Sequence, residues 1–302
     1  MTDIEQRLAR RKKFDALFGL IGLLSTLVGL ITLAALIIDL AVDGAARIGW
    51  SFFTSFPSRF PARAGILSAW VGTSLVMLVT ACTAVPMGVA AGVYLEEYAP
   101  KNWLTALIEI NIANLAGVPS IVYGLMALGL FVYQFNFGQS VLSAGLTLAL
   151  LILPIVIVAT RESVRAVPAS MREAAFALGA TKWQTTRDHV LPYSLGGILT
   201  GVIIALSRAV GETAPLITIG ALTFIAFLPD PPVSTEYPFI SFDWLKSGFT
   251  VMPIQMFNWV SRPQQAFHLN AAAAGLILML MTLLMNGIAI YFRYRFRKRV
   301  KW

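Results

Sequence analysis

Six stretches of at least 20 mostly apolar residues, at 14–40, 66–95, 104–133, 141–160, 193–228 and 269–292, divide this 302-residue chain. About 20 such residues are what a helix needs to cross the ~30 Å hydrocarbon core of a bilayer. The fold expected is therefore all-α: a polytopic membrane protein with six transmembrane helices around one shared core. Only 13% of the residues are charged, against roughly 25% in soluble domains, so part of the surface must face lipid. Arg10, Arg11, Lys12 and Lys13 precede the first run in the manner of a signal peptide. The run is too long for a signal core and no clear small-residue cleavage site follows it, so it is expected to stay as a helix. The single cysteine, Cys82, excludes an internal disulfide.

Lysine and arginine set the orientation. With the N-terminus inside, seventeen of them fall on one side, in the N-terminal tail, at Lys101, in segment 161–192 and in the C-terminal tail. The other side holds Arg47, Arg59, Arg63, Lys246 and Arg262. Such a bias follows the positive-inside rule and predicts two cytoplasmic termini. It also accounts for the net charge of +8 without nucleic acid. The chain reads as one permease domain, 1–302, with tails at 1–13 and 293–302 around a core at 14–292. Gly88 with Gly92, and Gly197 with Gly201, are small-xxx-small pairs suited to helix packing. The connection 229–268 begins with Pro229, Pro231, Pro232 and Pro238. It continues with Phe239, Phe242, Trp244, Phe249, Phe257 and Trp259, an interfacial or re-entrant pattern in which the aromatics anchor at the membrane surface. His268 reads as an interface residue.

Energy for uphill movement is not encoded here. No Gly-x-x-x-x-Gly-Lys-Ser/Thr loop is present to cradle nucleotide phosphates. Two histidines and one cysteine make no metal-ligand cluster, and His189 and His268 fall on opposite sides of the membrane. No catalytic residue, metal site or cofactor is therefore expected in this chain. It either uses an ion gradient, as a secondary transporter or channel would, or borrows a separate ATPase.

Segment 161–192 is the largest internal loop on the basic side. Pro168 is placed to start a short helix and Gly179 to stop it in a left-handed conformation. Thr181 with Gln184 forms a capping box for a second short helix, which Pro192 helps to end. Such a pair suits a DNA-reading motif, a solvated loop or a peg for another protein; flanking spans exclude the first.

The run Arg172-Glu173-Ala174-Ala175-Phe176-Ala177-Leu178-Gly179-Ala180, with Leu191-Pro192 downstream, resembles the signature loop of ABC importer permeases. The resemblance implies a coupling helix that enters a groove on a cytoplasmic ATPase, carried by Arg172, Glu173, Ala174, Ala175 and Gly179. His189 departs from the pattern, where a branched aliphatic is common. Three further segments, 88–98, 115–125 and 206–216, are similar to the second, third and fifth spans of phosphate-specific (Pst) permeases, the last particularly to the A-type subunit. That resemblance implies import of inorganic phosphate and a heterodimer with a homologous C-type permease. It also implies two ATP-binding subunits, which would hold ATP and Mg, and a periplasmic phosphate-binding protein. An ABC permease for molybdate, sulfate or phosphonate is the alternative.

Arg208 and Glu212 are expected well inside the fifth span, four residues apart on one helical face. Charges at that depth cost about 2.5–3.5 kcal/mol each on insertion scales and usually mark a pathway; an internal structural pair is the other reading. Arg offers a planar fork of donors to an oxyanion. A carboxylate beside it accepts a proton-bearing oxygen, which phosphate keeps at neutral pH and sulfate lacks. Pro215 frees a backbone carbonyl nearby, and Ser207 and Thr213 add hydroxyls. In the third span, Asn111, Asn114, Ser120 and Tyr123 are pathway candidates around Pro119. Glu109, Asp39 and Asp15 are given no transport role.

Overall fold

A computed structural model describes residues 3–231 and 241–299, and every regular element among them is helical. Five helices are long and apolar enough to cross a membrane, and a bent pair supplies a sixth candidate span. The first, α1 (Asp3–Gly44), is polar and basic up to Lys13 and mostly apolar on every face from Phe14 to Leu40. None of its most apolar stretch is buried, the signature of a helix whose solvent is lipid. After a short helix α2 (Trp50–Thr54), the second span is α3 (Leu67–Val93), with Pro86 inside it, continued by a π-helical turn Tyr94–Tyr98.

The third span is not one helix. It breaks between α4 (Trp103–Leu115) and α5 (Ser120–Ala127, extended by a π-helical turn to Gln134), which meet at 105°. Pro119 has no N–H to continue the ladder. The freed Leu115 carbonyl accepts from Val118 N at 3.1 Å and from the Tyr123 hydroxyl at 2.9 Å. The apolar run at 104–133 carries no trace of this bend in its hydropathy alone, so the expected continuous span is corrected here.

The fourth span, α6 (Val141–Arg165), is the most buried of the candidate spans. Close approach on both sides rests on glycine. A methyl group at Gly88 or Gly92 would strike Val156 or Thr160 of α6 at 2.6 Å, and one at Gly201 or Gly197 of the fifth span would strike Ala159 or Ser163. Both expected glycine pairs are thus packing sites. Thr80 adds a hydrogen bond to the Gly145 carbonyl of α6 at 3.1 Å.

Next come α7 (Ala169–Ala177), α8 (Lys182–Thr185), a π-helical turn Thr186–Val190 and α9 (Leu191–Gly211). Pro192 does not end the second short helix as expected. Helix runs on from Lys182 to Gly211, because the wider π turn before Pro192 removes the clash and the missing bond that proline imposes. At the other end the apolar run 193–228 overstates the span. Glu212 is extended (ψ 119°), and α10 (Ala214–Thr218) starts a new turn with Pro215 in its first positions. Proline's conflict with the carbonyl four residues back ends α9 at Gly211.

The connection that follows includes α11 (Met252–Val260) and leads to α12 (Gln265–Arg299). Pro232, Ser234, Pro238 and Phe239 lie outside the described residues. Of the aromatics expected at the membrane surface, Phe242 and Phe257 are exposed, but Trp244, Phe249 and Trp259 are buried. Trp259 lies 5.9 Å from the Phe52 ring, under a corner where Arg47 donates to Asn270 Oδ1 (2.7 Å) and to the carbonyls of Pro61, Ala62 and Ala64. Phe52 and Trp259 belong to a second core, whereas Trp244 and Phe249 pack into the main one, which corrects the anchoring expectation for these three of the aromatics in the connection. His268 is exposed, its Nε2 3.0 Å from the Arg262 carbonyl.

Candidate functional site

Two interrupted helices meet in this fold. Gly124 of α5 abuts α10 so closely that a methyl group there would strike Thr218 and the Cα of Pro215. The short helices that follow the two breaks, α5 and α10, thus pack against each other. Non-helical backbone at membrane depth is tolerated where it is buried in protein or lines a water-filled cavity, and paired discontinuous helices are a usual way to build an ion site there.

Arg208 and Glu212 stand at this junction. Arg208 occupies the last turn of α9, where a cation complements the helix dipole, and Glu212 caps it. They remain paired at i,i+4, Arg208 Nε to Glu212 Oε1 at 3.3 Å, with side chains 44% and 19% exposed. The expectation of a pair in mid-helix is corrected: Glu212 has left the helix, and the Arg208 guanidinium keeps an open side.

The remaining pathway candidates divide. Tyr123 is buried and its hydroxyl is engaged with the Leu115 carbonyl. Ser120 is the half-buried first residue of α5. Thr213 is half-buried beside Glu212, with its hydroxyl 3.4 Å from the Gly211 carbonyl. Asn111 and Asn114 lie before the bend, exposed on α4; the Asn111 amide bonds back to Leu107 O at 2.8 Å. Ser207 turns the other way, its Oγ 2.6 Å from Asn286 Oδ1 on α12 and 2.7 Å from the Ile203 carbonyl. The structure thus keeps Arg208, Glu212 and Thr213 together at the end of α9, places Ser120 and Tyr123 on the neighbouring α5, and sets Ser207, Asn111 and Asn114 apart. Asn286 was missed: one polar residue in a long apolar helix has no partner visible in sequence.

The loop 161–192 is built from local rules. Gly179 is left-handed (φ +82°). Gly179 N donates to Phe176 O (2.9 Å) and Ala180 N to Ala175 O (3.0 Å), which is a Schellman stop. Thr181 and Gln184 form a reciprocal capping box. Glu173, Ala174, Phe176 and Leu178 are exposed, whereas Ala175 is buried. Arg172 faces inward: its guanidinium bonds Glu97 Oε1 twice (2.7 and 3.0 Å), Val167 O (2.7 Å) and Val164 O (2.9 Å). Of the five residues implied in ATPase docking, Arg172 and Ala175 are therefore occupied within this chain. His189 is half-buried in the π turn.

A charge network that sequence reasoning missed anchors the loop. Arg161 reaches Glu109 at 2.7 Å and Glu96 at 3.6 Å, and Arg165 bonds Glu96 at 2.9 Å. Glu109, given no role from sequence, is the main partner of a buried arginine. Among the described residues no group of three or more His, Cys, Asp or Glu is placed to hold a metal.

The profile of the family described as "Binding-protein-dependent transport system inner membrane component" matches residues 84–302. The chain is 32% identical to the probable ABC transporter permease protein YqgI of Bacillus subtilis (strain 168), over 68% of this chain and 69% of that protein. It is 31% identical to the phosphate transport system permease protein PstA 1 of Mycobacterium tuberculosis (strain ATCC 25618 / H37Rv), over 89% of this chain and 82% of that one. In fold it is similar to a chain of a bacterial alginate ABC transporter solved with an alginate-bound periplasmic protein. The TM-score is 0.65 at 15% identity, covering 96% of this chain and 98% of that one.

Proposed function

The chain belongs to the binding-protein-dependent transport system inner membrane components, the permeases of ABC transporters, and from that premise we propose that it carries inorganic phosphate. The observation that carries this reading is the half-open Arg208–Glu212 pair where two broken helices meet. Arg208 supplies a fork for two phosphate oxygens. Glu212 accepts the proton of a P–OH group, and the same carboxylate repels sulfate, which has no proton to offer. Likeness to phosphate permeases over most of the chain supports the same substrate.

In this reading the chain pairs with a homologous C-type permease, and a periplasmic phosphate-binding protein delivers the anion. Two separate subunits bind ATP and Mg and hydrolyse the nucleotide. Exposed Glu173, Ala174, Phe176 and Leu178 meet those subunits, while Gly179 sets the turn. Both termini and the loop then face the cytoplasm. In a Cys82→Ala background, cysteines at Lys182 and Phe242 should react with an impermeant thiol reagent from opposite sides; reaction from one side refutes the orientation.

Glu212→Gln tests the substrate. The amide keeps size and one acceptor but loses the charge, so phosphate uptake should fall and sulfate should compete better. A purely structural pair predicts instead that Arg208→Met combined with Glu212→Gln restores uptake, since replacing a whole pair is often tolerated.

A further inference from the structure

An apolar groove of about 580 Å³ lies between α3 and the start of the fifth span. Its volume is in the range of sites that hold small molecules, roughly 300–1,000 Å³. The wall on α3 descends from Tyr98 through Val93, Ala90 and Val89 to Pro86. Its ends are twelve residues apart, at most about 18 Å at 1.5 Å per residue, the π turn Tyr94–Tyr98 making it somewhat shorter. That is close to one leaflet of a bilayer whose hydrocarbon core is ~30 Å thick. A transmembrane helix from another subunit would need a groove through both leaflets; one acyl chain needs only this depth.

The end beside the loop has the opposite character. Trp183 and Tyr98 line it, the two aromatic types that settle at headgroup level. The ammonium of Lys182 stands 5.1 Å above the Tyr98 ring, at the mouth. An apolar slot one leaflet deep, closed by a tryptophan, a tyrosine and a cation, is complementary to a single kind of membrane molecule.

We propose that this groove holds an acyl chain of an anionic phospholipid from the leaflet on the loop side, with its headgroup against Lys182 and Trp183. Both residues belong to α8, directly after the Thr181 cap and the Gly179 turn. The lipid therefore ties the second span to the loop, and its headgroup charge sets how firmly α8 is held. This role does not depend on which anion the permease carries.

The test uses the full-length chain, alone and assembled with its partner subunits, in phosphatidylcholine nanodiscs. These are doped with brominated phosphatidylglycerol or brominated phosphatidylcholine, and quenching of Trp183 is read as the difference between wild type and Trp183→Phe. One lysine near the surface favours the anionic lipid by about fivefold, so phosphatidylglycerol should quench at about one-fifth the mole fraction. Lys182→Gln should abolish that preference, and Ala90→Phe, which fills the groove from an exposed position, should abolish quenching by either lipid. If Ala90→Phe fails to assemble, Lys182→Gln at the exposed rim decides alone. Equal quenching by both lipids in the wild type overturns the proposal, as does a preference unchanged by Lys182→Gln. Quenching that vanishes once the partner subunits are present also overturns it, because a partner's helix then fills the groove.

Discussion

The pairs Arg172–Glu97 and Arg208–Glu212 use the same two residue types for opposite ends. Arg172 makes two bonds to one carboxylate and two to backbone carbonyls, and Glu97 is only 9% exposed. Arg208 makes one described bond, long at 3.3 Å, and is 44% exposed. Of the five donors a guanidinium offers, Arg172 has committed most and Arg208 few. A saturated arginine is a strut, fastening α7 to the end of the second span. An unsaturated arginine beside a broken helix has donors left for an anion. Position matters as well: Arg172 lies at the end of the bundle and Arg208 where helices are interrupted inside it.

The sharpest way to break this contrast is Arg208→Ala. Phosphate uptake should fall on the order of a hundredfold, the scale of losing one partner of a charged contact, while the yield of assembled complex stays unchanged. Arg208→Lys should also be impaired, because an ammonium lacks the planar fork. A parallel fall in yield and uptake would make Arg208 a strut like Arg172. Glu97→Ala should do the reverse. It leaves a half-buried guanidinium without its carboxylate at a cost of about 1–3 kcal/mol, so complex yield and melting temperature should drop, and Arg172→Met with Glu97→Gln should recover both. Unchanged melting in Glu97→Ala would remove the strut. The smallest expected effect is at Gly179, where a side chain meets open space but the left-handed backbone costs a non-glycine residue about 1–2 kcal/mol. Gly179→Leu should lose phosphate-stimulated ATP hydrolysis by the assembled complex with insertion intact. Gly179→Asn, better suited to that conformation, should keep most of it. Equal activity in both variants would show that the turn is not needed for coupling.

Legibility follows the range of the interaction. Gly179, Thr181 and Gln184 are readable because their partners lie within a few residues. The glycine pairs are readable as packing faces, though not as faces toward Val156, Thr160, Ala159 and Ser163 of α6. Pro192 misleads because a π turn absorbs it, and the run 193–228 misleads because hydropathy does not register that Pro215 ends a helix. Of the eight pathway candidates, Arg208 and Glu212 stand out by charge in an apolar run. The sorting of Ser207 toward Asn286 and of the Tyr123 hydroxyl toward Leu115 depends on helices that meet only in three dimensions.

The sequence by itself determined that the chain lives in lipid, where its spans run to within a few residues at most of their ends, and how the loop turns. Each of these follows from free energies local to one segment: transfer of side chains into hydrocarbon, caps, and a left-handed glycine. Tertiary structure alone decided which arginine is saturated and which is open. Glu97 and Arg172 are 75 residues apart, Glu109 and Arg161 are 52 apart, and no local preference selects among the glutamates available to each. It also decided that the short helices after the two breaks, each ordinary in sequence, pack against each other at Gly124 and Pro215, because only close packing brings segments so far apart in the chain together.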